Sequence, residues 1–226
     1  MFFLPFVFFF FLFYLGLLAL LFFVIQIEAI EFAFQRIGIP GDMVFTVLLL
    51  SLLGSGINIP VKHIVSRQPA PAPLSRFLSW KFPLVAPVVE NQTIIAVNVG
   101  GAVIPTLIAL YLMFSHPGLL LQNLVAVIIV SLIIHRLARP IPRVGIATPA
   151  LLPPLLAALV AELLGGTHQA PLVAYVSGTL GTLIGADLMN LKRIPELGAP
   201  VASIGGAGTY DGVFLTGIVA VLLASL

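Results

Sequence analysis

The chain has 226 residues, of which 60% are hydrophobic and only 8% charged, where soluble domains are roughly a quarter charged. A water-facing surface cannot be covered with so few charges, and ten Lys and Arg against eight Asp and Glu leave a formal charge of +2, which points to no nucleic-acid partner. The absence of Cys removes disulfides, thiolate metal sites and cysteine nucleophiles together.

A bilayer core of about 30 Å takes roughly 20 apolar residues per helix, so the sequence predicts an all-α, polytopic transmembrane bundle of about seven helices forming one domain, 1–226. The first helix is expected over Phe2 to Ile27; it is longer than a signal-peptide core and is followed by no clear cleavage site, so it reads as retained. Glu28 to Ile39 either lies in the interface or extends that helix. A second helix follows over Met43 to Val61. The stretch 62–92 holds Pro69, Pro71, Pro73, Pro83 and Pro87 and is expected to be an irregular cytoplasmic loop with Trp80 as an interfacial anchor, its continuation Thr93 to Val99 allowing an extended conformation. The remaining helices are expected over Thr93 to Phe114, Leu119 to His135, Val144 to Leu164, Pro171 to Leu191 and Ala199 to Leu226.

Every second connection is basic. Lys62, Arg67, Arg76 and Lys81 follow the second helix, Arg136, Arg139 and Arg143 the fourth, Lys192 and Arg193 the sixth. By the positive-inside rule the N-terminus is then cytoplasmic and the C-terminus extracytoplasmic, with the cell membrane as the expected location. A faint repeat is also visible: Asn98-Val-Gly-Gly-Ala102 resembles Ser203-Ile-Gly-Gly-Ala207, and each follows a helix that ends on a Gly-rich polar step, Gly54-Ser-Gly-Ile-Asn58 and Gly185-Ala-Asp187.

Asp187 and Asp211 fall inside predicted helices. A carboxylate there costs at least about 2.5–3.5 kcal/mol, so both are expected to face the bundle interior or a water-filled cavity and are functional candidates. Asn58, Asn98 and Asn190 come at similar depth, and the surrounding glycines permit close helix approach or unwinding. The bland readings are a snorkelling Asp187 paired with Lys192 or Arg193, and Asn58 and Asn98 bonded to backbone groups. The four His show no metal-ligand spacing, and no cofactor or metal is implied.

The strings Gly54-Ser-Gly-Ile-Asn-Ile-Pro60, Asn98-Val-Gly-Gly-Ala-Val-Ile-Pro105, Ser177-Gly-Thr-Leu-Gly-Thr-Leu-Ile-Gly-Ala-Asp187 and Gly205-Gly-Ala-Gly-Thr-Tyr-Asp-Gly212 resemble a prokaryotic membrane family catalogued as domain of unknown function 1614, from the second helix onward. Tyr210-Asp211, Gly185-Ala-Asp187 and Pro149-Ala-Leu151 further resemble the Tyr-Asp, Gly-x-Gly-Asp and Pro-Ala-Leu motifs of presenilin and signal-peptide-peptidase type intramembrane aspartyl proteases. Position 186 is Ala where that family has Gly, position 184 is Ile, and the three motifs run in the opposite order along the chain.

This second resemblance implies an aspartyl hydrolase with Asp187 and Asp211 as a dyad, Tyr210 beside it, and Pro149, Ala150, Leu151, Gly185 and Gly208 receiving a single-pass membrane protein substrate. The alternative is a cation- or proton-coupled transporter or channel binding a small cation at Asn58, Asn98, Asp187, Asn190 and Asp211. A third reading is a non-catalytic scaffold among membrane lipids.

Overall fold

A computed structural model of the protein describes residues 4–69, 88–141, 145–197, 199–206 and 212–226. Helix α1 runs over Leu4–Arg36, α2 over Gly41–Ser55, α3 over Ile104–Ser115, α4 over Leu120–Leu137, α5 over Leu152–Thr182 and α6 over Gly212–Leu223. α5 is two helices joined at Gly166, whose backbone (φ 64, ψ 171) breaks the helix five residues before Pro171. The helical bundle expected from the sequence is therefore present, with seven apolar helical segments among the described residues.

Three segments, Phe11–Arg36, Pro117–Leu137 and His168–Ile194, are long and apolar enough to cross a membrane and mark this as a membrane protein. The other four, Gly41–Ser55, Val99–Ser115, Leu152–Gly166 and Gly212–Leu223, are shorter. At 1.5 Å per residue, the 12 residues of α3 reach only about 18 Å, well short of the hydrocarbon thickness. Strands and turns make up the remainder, and such backbone is tolerated at depth only where protein buries it or a cavity hydrates it.

These strands correct several expected boundaries. α2 stops at Ser55, short of Val61, because Gly54 and Gly56 weaken the helix and Pro60 lies ahead. β1 then covers Asn58–Pro69 and β2 covers Val88–Asn98, so both ends of the expected irregular loop are an antiparallel ladder, from Asn58 opposite Asn98 to Pro69 opposite Val88. β-branched residues at Thr93, Ile94, Ile95 and Val97 favour strand over the predicted helix start, and Pro69 is tolerated because β1 is an edge strand. Trp80 lies outside the described residues. α1 extends to Arg36, which settles Glu28 to Arg36 as helix.

β5, Val201–Ile204, pairs in parallel with β2, Ile94 opposite Val201 through Val97 opposite Ile204, to complete a sheet of order β1-β2-β5. β3 (Arg139–Ile141) and β4 (Gly145–Ala147) form a separate hairpin. The seventh helix was expected from Ala199; β5 and a glycine turn occupy its first part, and among the described residues α6 covers Gly212–Leu223. Asp211, expected about twelve residues into that seventh helix, lies outside the described residues.

The two halves of the sequence repeat meet here. β2 runs into Gly100-Gly101 and a π turn (Val99–Val103) that opens α3, while the parallel β5 runs into Gly205-Gly206. A side chain on Gly205 (φ +78) would sit 2.6 Å from Ala102 Cβ, so the two glycine motifs abut as only glycine permits. Gly54 and Gly100 bring α2 equally close, and Ser51 Oγ donates to Gly100 O at 2.8 Å.

α4 and the second half of α5 run parallel through small residues. A Cβ at Gly181 would lie 2.6 Å from Val130 Cγ1, and one at Gly185 would lie 3.0 Å from Ser131 Cα. The same pair buries Ala126, Val130 and Ile134 against Ala170, Val173 and Ala174. On the other side, Phe34 of α1 packs on Tyr175 with ring centroids 6.2 Å apart. β1, β3 and β4 all contact the 3-10 segment Leu188–Leu197, which gathers Lys62, Arg139, Lys192 and Arg193 at one end of the bundle.

Candidate functional site

Asp187 closes a π turn, Leu183–Asp187, at the end of α5. The widened turn and the 3-10 segment after it take the backbone out of α geometry where the carboxylate projects. Asp187 Oδ2 accepts a hydrogen bond at 2.8 Å from the N–H of Gly205, which follows β5 with a positive φ. The side chain is half-buried and lines a cavity of ≈ 180 Å³.

That cavity is built by elements far apart in sequence. Thr182 and Ala186 of the α5 end form its floor, β5 with Gly206 forms one wall, and Gly145, Ile146 and Thr148 of the β4 strand and its exit form another. Gly212 and Val213 at the start of α6 complete it. β5 is held firmly: Thr93 Oγ1 donates to Ala199 O at 2.8 Å, Ile94 N donates to Pro200 O at 3.0 Å, and Ser203 Oγ donates to Asn58 Oδ1 at 2.6 Å. β4 and β5 are each paired on one side only among the described residues, so two strand edges border the same space.

Tyr210, Asp211 and Gly208 lie outside the described residues. Their flanking residues, Gly206 and Gly212, both line the Asp187 cavity.

The other predicted positions separate from Asp187 in instructive ways. Asn98 is fully buried and its bonding capacity is spent on the fold: Nδ2 donates to Ser55 O at 2.7 Å and to Asn58 Oδ1 at 3.2 Å, and Oδ1 accepts from the Gly101 N–H at 2.7 Å. It caps the π turn and ties off the end of α2. Asn58 is exposed, and its Oδ1, which accepts from Asn98, also accepts from Ser203 Oγ. Asn190 donates to Gly185 O at 3.1 Å and Ala186 O at 2.9 Å, which satisfies carbonyls freed where α5 ends. It is not among the residues lining the cavity.

Gly185, expected at the substrate, makes the close approach to α4, where a side chain would collide with Ser131 O. Pro149, Ala150 and Leu151 are exposed beyond Thr148 and are not cavity-lining residues. Sequence reasoning missed Thr182, Thr148, Ser203 and β4. Thr182 was legible as one of a run of hydroxyls on one helical face; β4 was not, since three residues between helices carry no periodic signal.

No curated protein and no solved structure matches the chain. The family described as protein of unknown function DUF1614 does, over residues 52–223, a stretch that runs from the end of α2 to the last residue of α6 and holds every wall of the cavity. The chain belongs to that family.

Proposed function

We propose that this protein is an intramembrane aspartyl hydrolase that cleaves an extended segment of a membrane-embedded polypeptide, with Asp187 and Asp211 as its dyad. One observation carries the reading: Asp187 faces a cavity whose wall includes both residues flanking the segment that holds Tyr210 and Asp211. The unpaired edges of β4 and β5 beside it suit an extended chain, whose backbone groups would otherwise go unsatisfied in the membrane.

In this mechanism one carboxylate takes a proton from water as its oxygen attacks the scissile carbonyl carbon. The other carboxyl donates its proton to the carbonyl oxygen, giving a neutral tetrahedral intermediate. Collapse breaks the C–N bond as the first carboxyl passes its acquired proton to the leaving amine and a hydroxyl of the intermediate returns a proton to the second carboxylate, restoring the starting state.

The basic segments gathered at the cavity end support a cytoplasmic face for the site, with seven crossings, a cytoplasmic N-terminus and an extracytoplasmic C-terminus in a prokaryotic cell membrane. The test is cleavage of a single-pass membrane protein by the purified chain. Asp187→Asn and Asp211→Asn should each remove it, and the double variant should be no worse than either. Retained cleavage in Asp187→Asn would end the dyad.

A second reading, cation-coupled transport, draws on the parallel pairing of β2 and β5 ahead of two short helices, an arrangement suited to duplicated carrier folds. With Asn98 spent on backbone groups, its ligands would centre on Asp187 and Asp211. If so, Na⁺, K⁺ or Ca²⁺ should raise the melting temperature of the detergent-solubilised protein, and Asp211→Asn should remove the shift. Absence of any shift would count against it.

A further inference from the structure

Tyr175, Thr179 and Thr182 follow one another at spacings of four and three on the second half of α5, so their hydroxyls form a line along one helical face. All three residues are buried, at 1%, 0% and 4% exposure. The Tyr175 and Thr179 hydroxyls lie within side-chain reach of each other, and apart from that contact neither they nor Thr182 Oγ1 has a hydrogen-bond partner among the described residues. Native structures leave few such groups unsatisfied, and three on one stripe ask for a shared partner.

The line has two ends. Thr182 lines the Asp187 cavity. At the other end, α4 brings in Asn123, which is fully buried with both Nδ2 and Oδ1 unpartnered among the described residues. Since Val130 opposes Gly181 and Ile134 opposes Gly185 in parallel helices, the same offset carries Asn123 to the level of Ala174 and Tyr175. Across the line, Gly217 of α6 presents no side chain; a Cβ there would meet the Thr179 hydroxyl and lie 3.1 Å from Tyr175 Cε2.

We propose that this stripe is an internal water path, which leads from the Asp187 cavity past Thr182 and Thr179 to Tyr175 and Asn123. Water is the ligand that matches the groups. It both donates and accepts, and a buried water makes about three hydrogen bonds, which alternating hydroxyls and an amide can supply. The path would hold water beside the cavity that Asp187 lines, whatever reaction or proton transfer Asp187 serves. It therefore stands apart from the hydrolase reading.

The chain contains no Cys, so single cysteines report without background. Thr182→Cys, Thr179→Cys and, as a control on another face, the fully buried Val176→Cys would be exposed to Ag⁺ in detergent and scored by thiol loss after denaturation. Thr182→Cys and Thr179→Cys should react about tenfold or more faster than Val176→Cys, since thiol reactivity follows access and ionisation. Reaction at Thr182→Cys alone would confine water to the cavity and overturn the path. The native chain gives a second readout: radiolytic footprinting in ¹⁸O-water should oxidise Tyr175 faster than the equally buried Phe34 packed against it. Equal protection of the two rings would also overturn it.

Discussion

Asn98 and Asp187 show how differently two polar residues can be used within the same bundle. Asn98 is fully buried and all of its bonds go to the fold, whereas Asp187 gives one oxygen to Gly205 and faces a cavity. Asn98→Ala leaves Ser55 O and the Gly101 N–H without that partner, so it should cost about 1–3 kcal/mol, while the exposed Asn58→Ala should cost less. Thermal unfolding in detergent checks the order, and equal effects would contradict a capping role for Asn98. Gly185 makes a similar distinction among glycines. Its missing side chain faces backbone of α4, so Gly185→Ala should destabilise by about 1–3 kcal/mol, and Gly118→Ala, which meets open space, should not. The sequence marked these positions as polar or small, but the atoms they meet come from α2, the π turn and α4, which no local spacing reveals. Asp187 was legible for a different reason, because the cost of a charge inside a membrane applies whatever the neighbours are.

Elements were legible in number more than in extent. Seven apolar stretches correspond to seven helical segments, since hydropathy over a window survives errors at its ends. The expected ends of the second, third and seventh helices were too generous, because apolar β-branched runs such as Thr93 to Val97 and Val201 to Ile204 satisfy a hydropathy window equally well as strands. What made them strands was pairing with residues over a hundred positions away, as Ile94 does with Val201. The sharpest test at this scale is the glycine turn after β5. Gly205→Ala forces a side chain into positive φ and onto Ala102, so it should destabilise the fold more than Gly56→Ala, whose nearest added contact is 3.6 Å away. An unaffected melting temperature for Gly205→Ala would show that the two repeat motifs do not abut.

For the whole molecule, the sheet, the β3-β4 hairpin and the 3-10 segment lie together at one end, and the Asp187 cavity opens among them. Their basic residues predict that this end faces the cytoplasm. A reporter inserted near Ala72 should be cytoplasmic and one fused after Leu226 extracytoplasmic; a cytoplasmic reporter at Leu226 would contradict the count of crossings. The claim that matters most is that two carboxyl groups act as one site, and an aspartyl-protease transition-state analogue tests it without knowledge of the natural substrate. Such a ligand binds the folded protein only where both carboxyls can hold it, so it should raise the melting temperature of the native chain in proportion to the logarithm of its concentration. Asp187→Asn should fold, since asparagine keeps an acceptor for the Gly205 N–H, and Asp211→Asn should fold as a near-isosteric change, yet neither should gain protection. A shift in the native protein that persists undiminished in both variants, or no shift in the native protein at saturating analogue, would contradict the dyad.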